Sequence, residues 1–375
     1  MTIAVRRATL SDKPAIFSFL VQAYGENGRF KFPERWEWQF ERNPYKPDDK
    51  IPVFIAVDEN GKVVGQSAAM YEPLKLGAEM VTLAWALDAY ILPDYRGRNL
   101  GFETLRLNCE SSPVWMGMIM APSSRHILEK LGCQAVDNVT SYRRVASFDT
   151  DSVNLGVRNR SHLDGFRNGM GKLLHQLRMD KLGCLLINSA TTVQDAFLEL
   201  TLDKGIVIQE QAVFDTSFDR FWEKVQYNFP VIIRRDSQFL NWKYKEQPDV
   251  NYQVFTTSRD GELSGYVILR CAFPPETNSG IIADILTDPK DNDSLRALLF
   301  HAVKFFKAQK LKYIYAASTI PAYQRAFQSI GFRKKKTIVP LLHSLLNENL
   351  TALLFSPSSW FLGRSDHDWD QFPYA

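Results

Sequence analysis

The sequence predicts an α/β protein: two tandem mixed sheets flanked by helices, the second a degenerate copy of the first. Three observations predict it. A motif, a hairpin and a helix end recur in the same order at offsets of 204, 200 and 199 residues. Strand-like and helix-like segments alternate in both halves. The chain has 375 residues, 45% of them hydrophobic, enough for more than one core.

The recurrences are specific. Trp38-Gln39-Phe40-Glu41-Arg42-Asn43-Pro44 matches Trp242-Lys243-Tyr244-Lys245-Glu246-Gln247-Pro248: Trp-x-aromatic, a charged pair, an amide and Pro. The hairpin over 53–65 matches that over 252–265, each turning at a dipeptide that favours positive φ, Asn60-Gly61 and Asp260-Gly261. Leu131-Gly132 and Ile330-Gly331 each end an amphipathic helix. Fixed-order recurrence argues for duplication.

Each copy reads in the same order. A short strand (4–7; 206–211) precedes a helix (12–24; 218–227) and a second, aromatic-rich helix (33–41; 236–245). After the hairpin come a long strand (81–92; 280–286), a helix (101–109; 294–308) and a buried strand (114–121; 313–317). A last helix (123–131; 321–330) and closing strands complete the copy. Residues 1–150 form the first copy, 151–200 a bridging segment and 201–375 the second copy. Within the bridge, Phe166, Met170, Leu173, Leu174 and Leu177 recur at helical spacing and predict an amphipathic helix over 165–182.

Composition narrows the function classes. A net charge of +3 is too balanced for a nucleic-acid binder. No apolar run reaches a membrane span, and charges within the first 25 residues interrupt a secretory core. Cys109, Cys133, Cys184 and Cys271 lack metal-ligand spacing, so reduced thiols in a cytoplasmic protein without a metal are expected.

The chemistry-bearing segment is Asp88-Ala89-Tyr90-Ile91-Leu92-Pro93-Asp94-Tyr95-Arg96-Gly97-Arg98-Asn99-Leu100-Gly101. A strand ends at a Gly- and Arg-rich turn that leads directly into a helix. Such a turn presents backbone N–H groups and a favourable dipole to an anion. Gly97 and Gly101 permit close approach of a diphosphate, Asn99 tolerates positive φ, and Arg96 and Arg98 add charge-assisted hydrogen bonds.

This segment resembles the pyrophosphate-binding motif of the GNAT acyltransferase superfamily, Arg/Gln-x-x-Gly-x-Gly/Ala. Arg96, Asn99 and Gly101 occupy its defined positions, with Asn99 in place of Gly. The resemblance implies an acyl-CoA co-substrate held by Ile91, Leu92, Arg96, Gly97, Arg98, Asn99, Leu100, Gly101 and Ser124. It also implies that the strand ending at Leu92 splays from its neighbour, pairs with the pantetheine arm and polarises the thioester carbonyl through a backbone N–H. At the matching place the second copy has Asp288-Pro289-Lys290-Asp291-Asn292-Asp293-Ser294. Carboxylates there repel a diphosphate, with Ser294 or Asp293 the expected N-cap, so this copy is expected to have lost CoA binding.

The Tyr that often serves the superfamily as general acid is replaced by Leu128. Ser123, Ser124 and His126 lie nearby, His126 on an expected solvated face. Asp88 and Tyr90, two residues apart, are expected on one strand face, where either can accept the proton of an incoming amine. Transfer without a side-chain base stays open. For the acceptor, Arg29 and Lys31 on the loop between the first two helices, and Arg234 beside Arg235, can meet phosphate. Tyr244 and Trp242 can stack on a base or sugar, or share core packing with Phe40 and Trp38.

The tandem arrangement, with Arg-Asp-x-x-Phe-Leu-x-Trp-x-Tyr over 235–244, resembles two-domain GNAT proteins of bacterial surface-polysaccharide clusters. That implies direct N-acyl transfer, of an acetyl or 3-hydroxybutyryl group, to a dTDP-linked 3-amino-3,6-dideoxyhexose. Transfer to peptide or protein amines, or non-catalytic sensing of acyl-CoA, are the alternatives. A homo-oligomer is compatible with the sequence.

Overall fold

The computed structural model describes residues 2–147, 179–272 and 278–370. The first copy runs β1 (Ile3–Arg7), α1 (Lys13–Tyr24) and a helical turn α2 (Glu34–Trp36) that continues as a π-turn over Glu37–Glu41. It goes on through β2 (Val53–Asp58), β3 (Val63–Leu76), β4 (Glu79–Ile91), α3 (Leu100–Cys109), β5 (Val114–Gly117) and α4 (Pro122–Lys130). Strands β6 (Gln134–Ala135) and β7 (Val139–Val145) follow. Of the expected bridging helix, residues 165–178 lie outside the described residues; α5 (Met179–Leu200) is described.

The second copy repeats the order with one added strand, β9, between its first two helices: β8 (Val207–Glu210), α6 (Thr216–Val225), β9 (Val231–Ile233) and α7 (Ser237–Tyr244). Then come β10 (Tyr252–Arg259), β11 (Glu262–Cys271), β12 (Ser279–Thr287), α8 (Asn292–Ala308), β13 (Tyr313–Ser318) and α9 (Pro321–Ser329). The chain closes with β14 (Arg333–Ile338), β15 (Leu341–Ser344), α10 (Glu348–Leu354) and β16 (Trp360–Phe361).

Local chemistry sets these boundaries alike in both copies. α4 and α9 each begin on a proline, whose missing N–H costs nothing in a first turn. Each stops at a glycine in the left-handed region, Gly132 at φ 86° and Gly331 at φ 89°. Asp260 and Gly261, at φ 53° and 80°, make the expected tight turn between β10 and β11.

The strands form two mixed sheets. The first runs β1-β2-β3-β4-β5-β15-β6, with β9 paired to β3 and β16 to β9; the second runs β14-β7-β13-β12-β11-β10-β8. The sheets exchange strands. β7, expected to close the first copy, lies between β13 and β14 of the second sheet, and β15 lies between β5 and β6 of the first. The two copies therefore share hydrogen-bond ladders as well as a core.

That core lies on the repeat. The rings of Trp38 and Trp242 stack at 4.9 Å, and the Trp38 indole N–H donates to the Trp242 carbonyl at 3.1 Å. Buried beside them, Lys243 on α7 donates to Glu72 on β3 at 2.5 Å, and Glu72 also accepts the Trp85 indole N–H at 2.7 Å. Shared packing, rather than stacking on a ligand, is the role of Trp242.

Candidate active site

In each sheet a parallel pair of strands diverges after three paired residues. β4 and β5 pair over Leu83–Trp85 and Val114–Met116; β12 and β13 pair over Ser279–Ile281 and Tyr313–Tyr315. Beyond those points the copies differ, and the difference defines the site.

In the second copy the split is filled by the chain itself. Leu362 accepts from the Thr319 N–H at 3.0 Å, Gly363 bridges Ser318, and the Ser365 N–H donates to Ala283 at 2.9 Å. The N-terminus of α8 is also filled: the Asp291 carboxylate accepts from the Ser294 N–H at 3.0 Å. The capping residue is thus Asp291, and the expected Ser294 is its donor. A carboxylate on those amides excludes a diphosphate from the same place.

In the first copy both places are open. No side chain among the described residues caps α3, whose N-cap Asn99 sits in the left-handed region at φ 61°. Gly97 has φ 80°. A helix leaves its first N–H groups without intrahelical partners, so this turn presents several at once. They border a cavity of about 680 Å³ between α3, α4 and the end of β4. Ile91, Arg96, Gly97 and Asn99 line it, as do Leu100, Gly101 and Ser124.

Two of the expected residues do not line it. Leu92 is buried, and its N–H donates to Val64 at 3.0 Å, so it holds the strand end within the sheet. Arg98 lies over the Tyr95 ring at 5.6 Å. Because strand amides alternate, an N–H free for a ligand belongs to Ile91, whose carbonyl accepts from Arg96 Nε at 3.1 Å. Arg96 also covers the Tyr90 ring at 5.4 Å.

A second cavity, about 740 Å³, lies on the other side of the split. Ala89, Leu105, Ala121 and Ser124 line both. Asp88 and Tyr90 fall on different sides, against the expectation of one face. The cause is a bulge: Gln66 pairs with Tyr90 and Ala68 with Leu87, so β4 has one extra residue there. Asp88, at φ 52°, turns into the larger cavity; Tyr90 lines the smaller and packs on Tyr24 at 5.6 Å.

Asp88 accepts a hydrogen bond from Lys31 at 2.5 Å, and Lys31 also lies over the Tyr24 ring at 4.9 Å. Burial, then the charge of Asp88, pushes the Tyr24 hydroxyl well above its ordinary range, so it stays a neutral donor. The second copy also has an extra residue in this strand, Ala283, and the adjacent Asp284 carboxylate is tied into the core by Arg235 at 3.0 Å and by Tyr266 at 3.1 Å.

The other acceptor expectations fare differently. Tyr244 is buried, with its hydroxyl on Ser365 at 2.7 Å; Arg234 pairs with Asp236 and caps no cavity wall. Neither lines the two cavities: Tyr244 belongs to the buried core of the second copy, and Arg234 is half-buried beside β3. The side chain of Arg29 lies outside the described residues. His126 is exposed, as expected.

The C-terminal stretch carries no motif that marks it as part of a site. His367 and Asp368 line the larger cavity, His367 Nε2 lies 2.7 Å from the Ala86 carbonyl, and its Nδ1 pairs with Asp368. Burial alone lowers His367, but the Asp368 charge outweighs it and holds the imidazole above its ordinary value. With an acceptor on each nitrogen, the imidazolium fits the site. Asp368 is held below the usual carboxylate range: burial opposes this, and His367 and then Lys31 overcome it.

The same architecture occurs in solved structures. A GCN5-related N-acetyltransferase from Anabaena variabilis aligns with a TM-score of 0.58 at 9% identity, over 91% of this chain and 72% of that one. One from Kribbella flavida aligns with a TM-score of 0.56 at 13% identity, over 92% and 71%. The fold is that of the GCN5-related N-acetyltransferases. An N-myristoyltransferase from Saccharomyces cerevisiae, with bound myristoyl-CoA, is also similar: TM-score 0.54 at 12% identity, over 92% of this chain and 86% of that one. No family model matches the sequence, and no curated relative does. Among the described residues no group of His, Cys, Asp or Glu could hold a metal ion, and no helix is long and apolar enough to cross a membrane.

Proposed function

We propose that this protein is a CoA-dependent N-acyltransferase in which the first copy binds acyl-CoA and the larger cavity receives the amine. One observation carries the reading: the α3 turn and the β4–β5 split are open in the first copy, while the chain fills both equivalents in the second. The acyl-CoA bound in the similar N-myristoyltransferase supports the same choice of co-substrate. Arg96, Gly97 and the amides of residues 99–101 would hold the diphosphate, and Ile91 the pantetheine arm. The thioester supplies an activated acyl group.

The amine nitrogen attacks the thioester carbonyl carbon, the carbon–sulfur bond breaks, and CoA leaves as the thiolate. The proton of the new ammonium passes to Asp88, which faces the larger cavity. Direct attack fits the thiols: the Cys133 hydrogen bond and burial hold Cys109 high, and burial raises Cys271, so neither is poised as a thiolate nucleophile. The acceptor we propose is a dTDP-linked amino sugar of surface-polysaccharide biosynthesis in the cytoplasm, taking an acetyl or 3-hydroxybutyryl group.

The test is thiol release from acetyl-CoA and 3-hydroxybutyryl-CoA with dTDP-3-amino-3,6-dideoxyhexoses and with peptide amines as acceptors. Turnover with the sugars supports the acceptor; turnover only with peptides refutes it; none with any amine refutes the enzyme reading. Asp88→Asn should cut kcat about a hundredfold with CoA affinity unchanged. A loss under about threefold would assign the proton to water instead.

A further inference from the structure

Outside the machinery described so far, one wall of the larger cavity is unusual. It is built by the exchanged strand β7 and its neighbour β14. β14 carries four cations in a row, Arg333-Lys334-Lys335-Lys336. In a regular strand, consecutive side chains point to opposite faces. Here the register breaks: Lys334 pairs with Tyr142, but Thr337 pairs with Thr140, so β14 has one extra residue between them. The result is that Lys335 and Lys336 both line the cavity, beside Arg143 of β7.

These cations are not there to neutralise the protein. Among the described residues the side chains of Arg143, Lys335 and Lys336 make no ion pair or hydrogen bond; Arg143 rests on the Tyr313 ring at 4.9 Å. Arg143 also stands directly opposite Arg333 in the ladder, a like-charge pairing that costs stability. Burial, then Arg143, lowers the Lys335 ammonium below its ordinary value, as expected of crowded cations without a counter-ion. The facing wall carries Asp88 and Asp368 instead. Each of these carboxylates is met by a cation, Lys31 and His367, whereas Arg143, Lys335 and Lys336 have no carboxylate partner among the described residues.

We propose that Arg143, Lys335 and Lys336 form a binding subsite for the phosphate or diphosphate group of the acceptor. A molecule with an amine at one end and a phosphoryl group at the other matches both walls: its amine faces Asp88, and its anion sets the distance from the thioester. This rests on the acyltransfer reading and adds to it the residues that hold the phosphoryl end of a phosphorylated amine acceptor. The subsite lies on strands of the second sheet, apart from the α3 turn.

Calorimetric titration of inorganic pyrophosphate into protein saturated with CoA tests it, because the α3 turn is then occupied. Pyrophosphate should bind, and the Lys335→Gln/Lys336→Gln double variant should weaken it at least about tenfold. Arg143→Gln should act in the same direction. CoA affinity, measured on each variant, should not change, which also reports that the variants fold. In turnover, the double variant should raise KM for a nucleoside-diphosphate amine while kcat holds, and leave KM for the same amine without phosphate unmoved. If pyrophosphate fails to bind the CoA-saturated protein, or binds the double variant as tightly, the subsite is wrong while the acyltransfer reading stands. If CoA itself fails to bind, that reading falls, and pyrophosphate titrated into the free protein and the double variant still decides the subsite by the same difference.

Discussion

Gly101→Asp separates ligand binding from folding, because its effects on the two have opposite signs. A Cβ at residue 101 would lie 3.5 Å from Ile127 Cδ1 and 3.6 Å from Ile91 Cγ1, both ordinary contacts, so the fold has room for the side chain. The residue is the second of α3, where a carboxylate favours the helix by about 0.3–1 kcal/mol. The same carboxylate occupies the ground of a bound diphosphate. Two unit charges about 4 Å apart at an effective dielectric constant of about 20 repel by about 4 kcal/mol. That corresponds to roughly a thousandfold in Kd for CoA. Calorimetric titration gives the affinity, and thermal denaturation gives the stability. The expected result is loss of CoA binding with an equal or slightly higher Tm. Unchanged CoA affinity would refute the assignment of the diphosphate to this turn. The second copy is the natural counterpart, since Asp291 caps α8 with a carboxylate already.

Lys243→Met leaves the Glu72 carboxylate buried without its cation and should cost about 3–5 kcal/mol in urea denaturation. Adding Glu72→Gln should restore much of that, and a cost below about 1 kcal/mol would mean the pair behaves as a solvated one. The His367–Asp368 pair predicts a pH dependence. His367 is raised above 6.5 when folded, so its contribution is complete below 6.5 and fades as pH climbs through the folded value. Urea midpoints from about pH 6 to about pH 9 should decline, and His367→Gln should flatten the decline; an equal decline in the variant would place its cause elsewhere.

Much of the fold was legible because its signals are local. The Trp-x-aromatic recurrence marked the inter-copy core, where Trp38 stacks on Trp242. Asn99 read correctly as a left-handed residue, and Leu131-Gly132 and Ile330-Gly331 as helix ends, since backbone sterics act within a few residues. The misreadings have long-range causes. Nothing near β7 or β15 tells which sheet will pair with them. The bulge that parts Asp88 from Tyr90 depends on the β3 partner, and alternation alone put them together. The run Gly363-Arg364-Ser365-Asp366-His367-Asp368 is polar, a composition that by itself gives no sign of burial, yet it is buried. Its partners are far along the chain: Asp366 meets Arg235 across 131 residues, and His367 meets Ala86 across 281. The lysine run over 333–336 is exposed, as a charged strand face should be; that Lys335 and Lys336 also border the larger cavity follows from the register break against β7, which lies far along the chain.

The most direct measurement is a crystal of the protein soaked with coenzyme A. The expected density places the diphosphate on the amides between Gly97 and Gly101, with the pantetheine arm entering between β4 and β5. A diphosphate at the N-terminus of α8, or a ligand-free α3 turn at saturating CoA, would contradict the division of labour between the two copies.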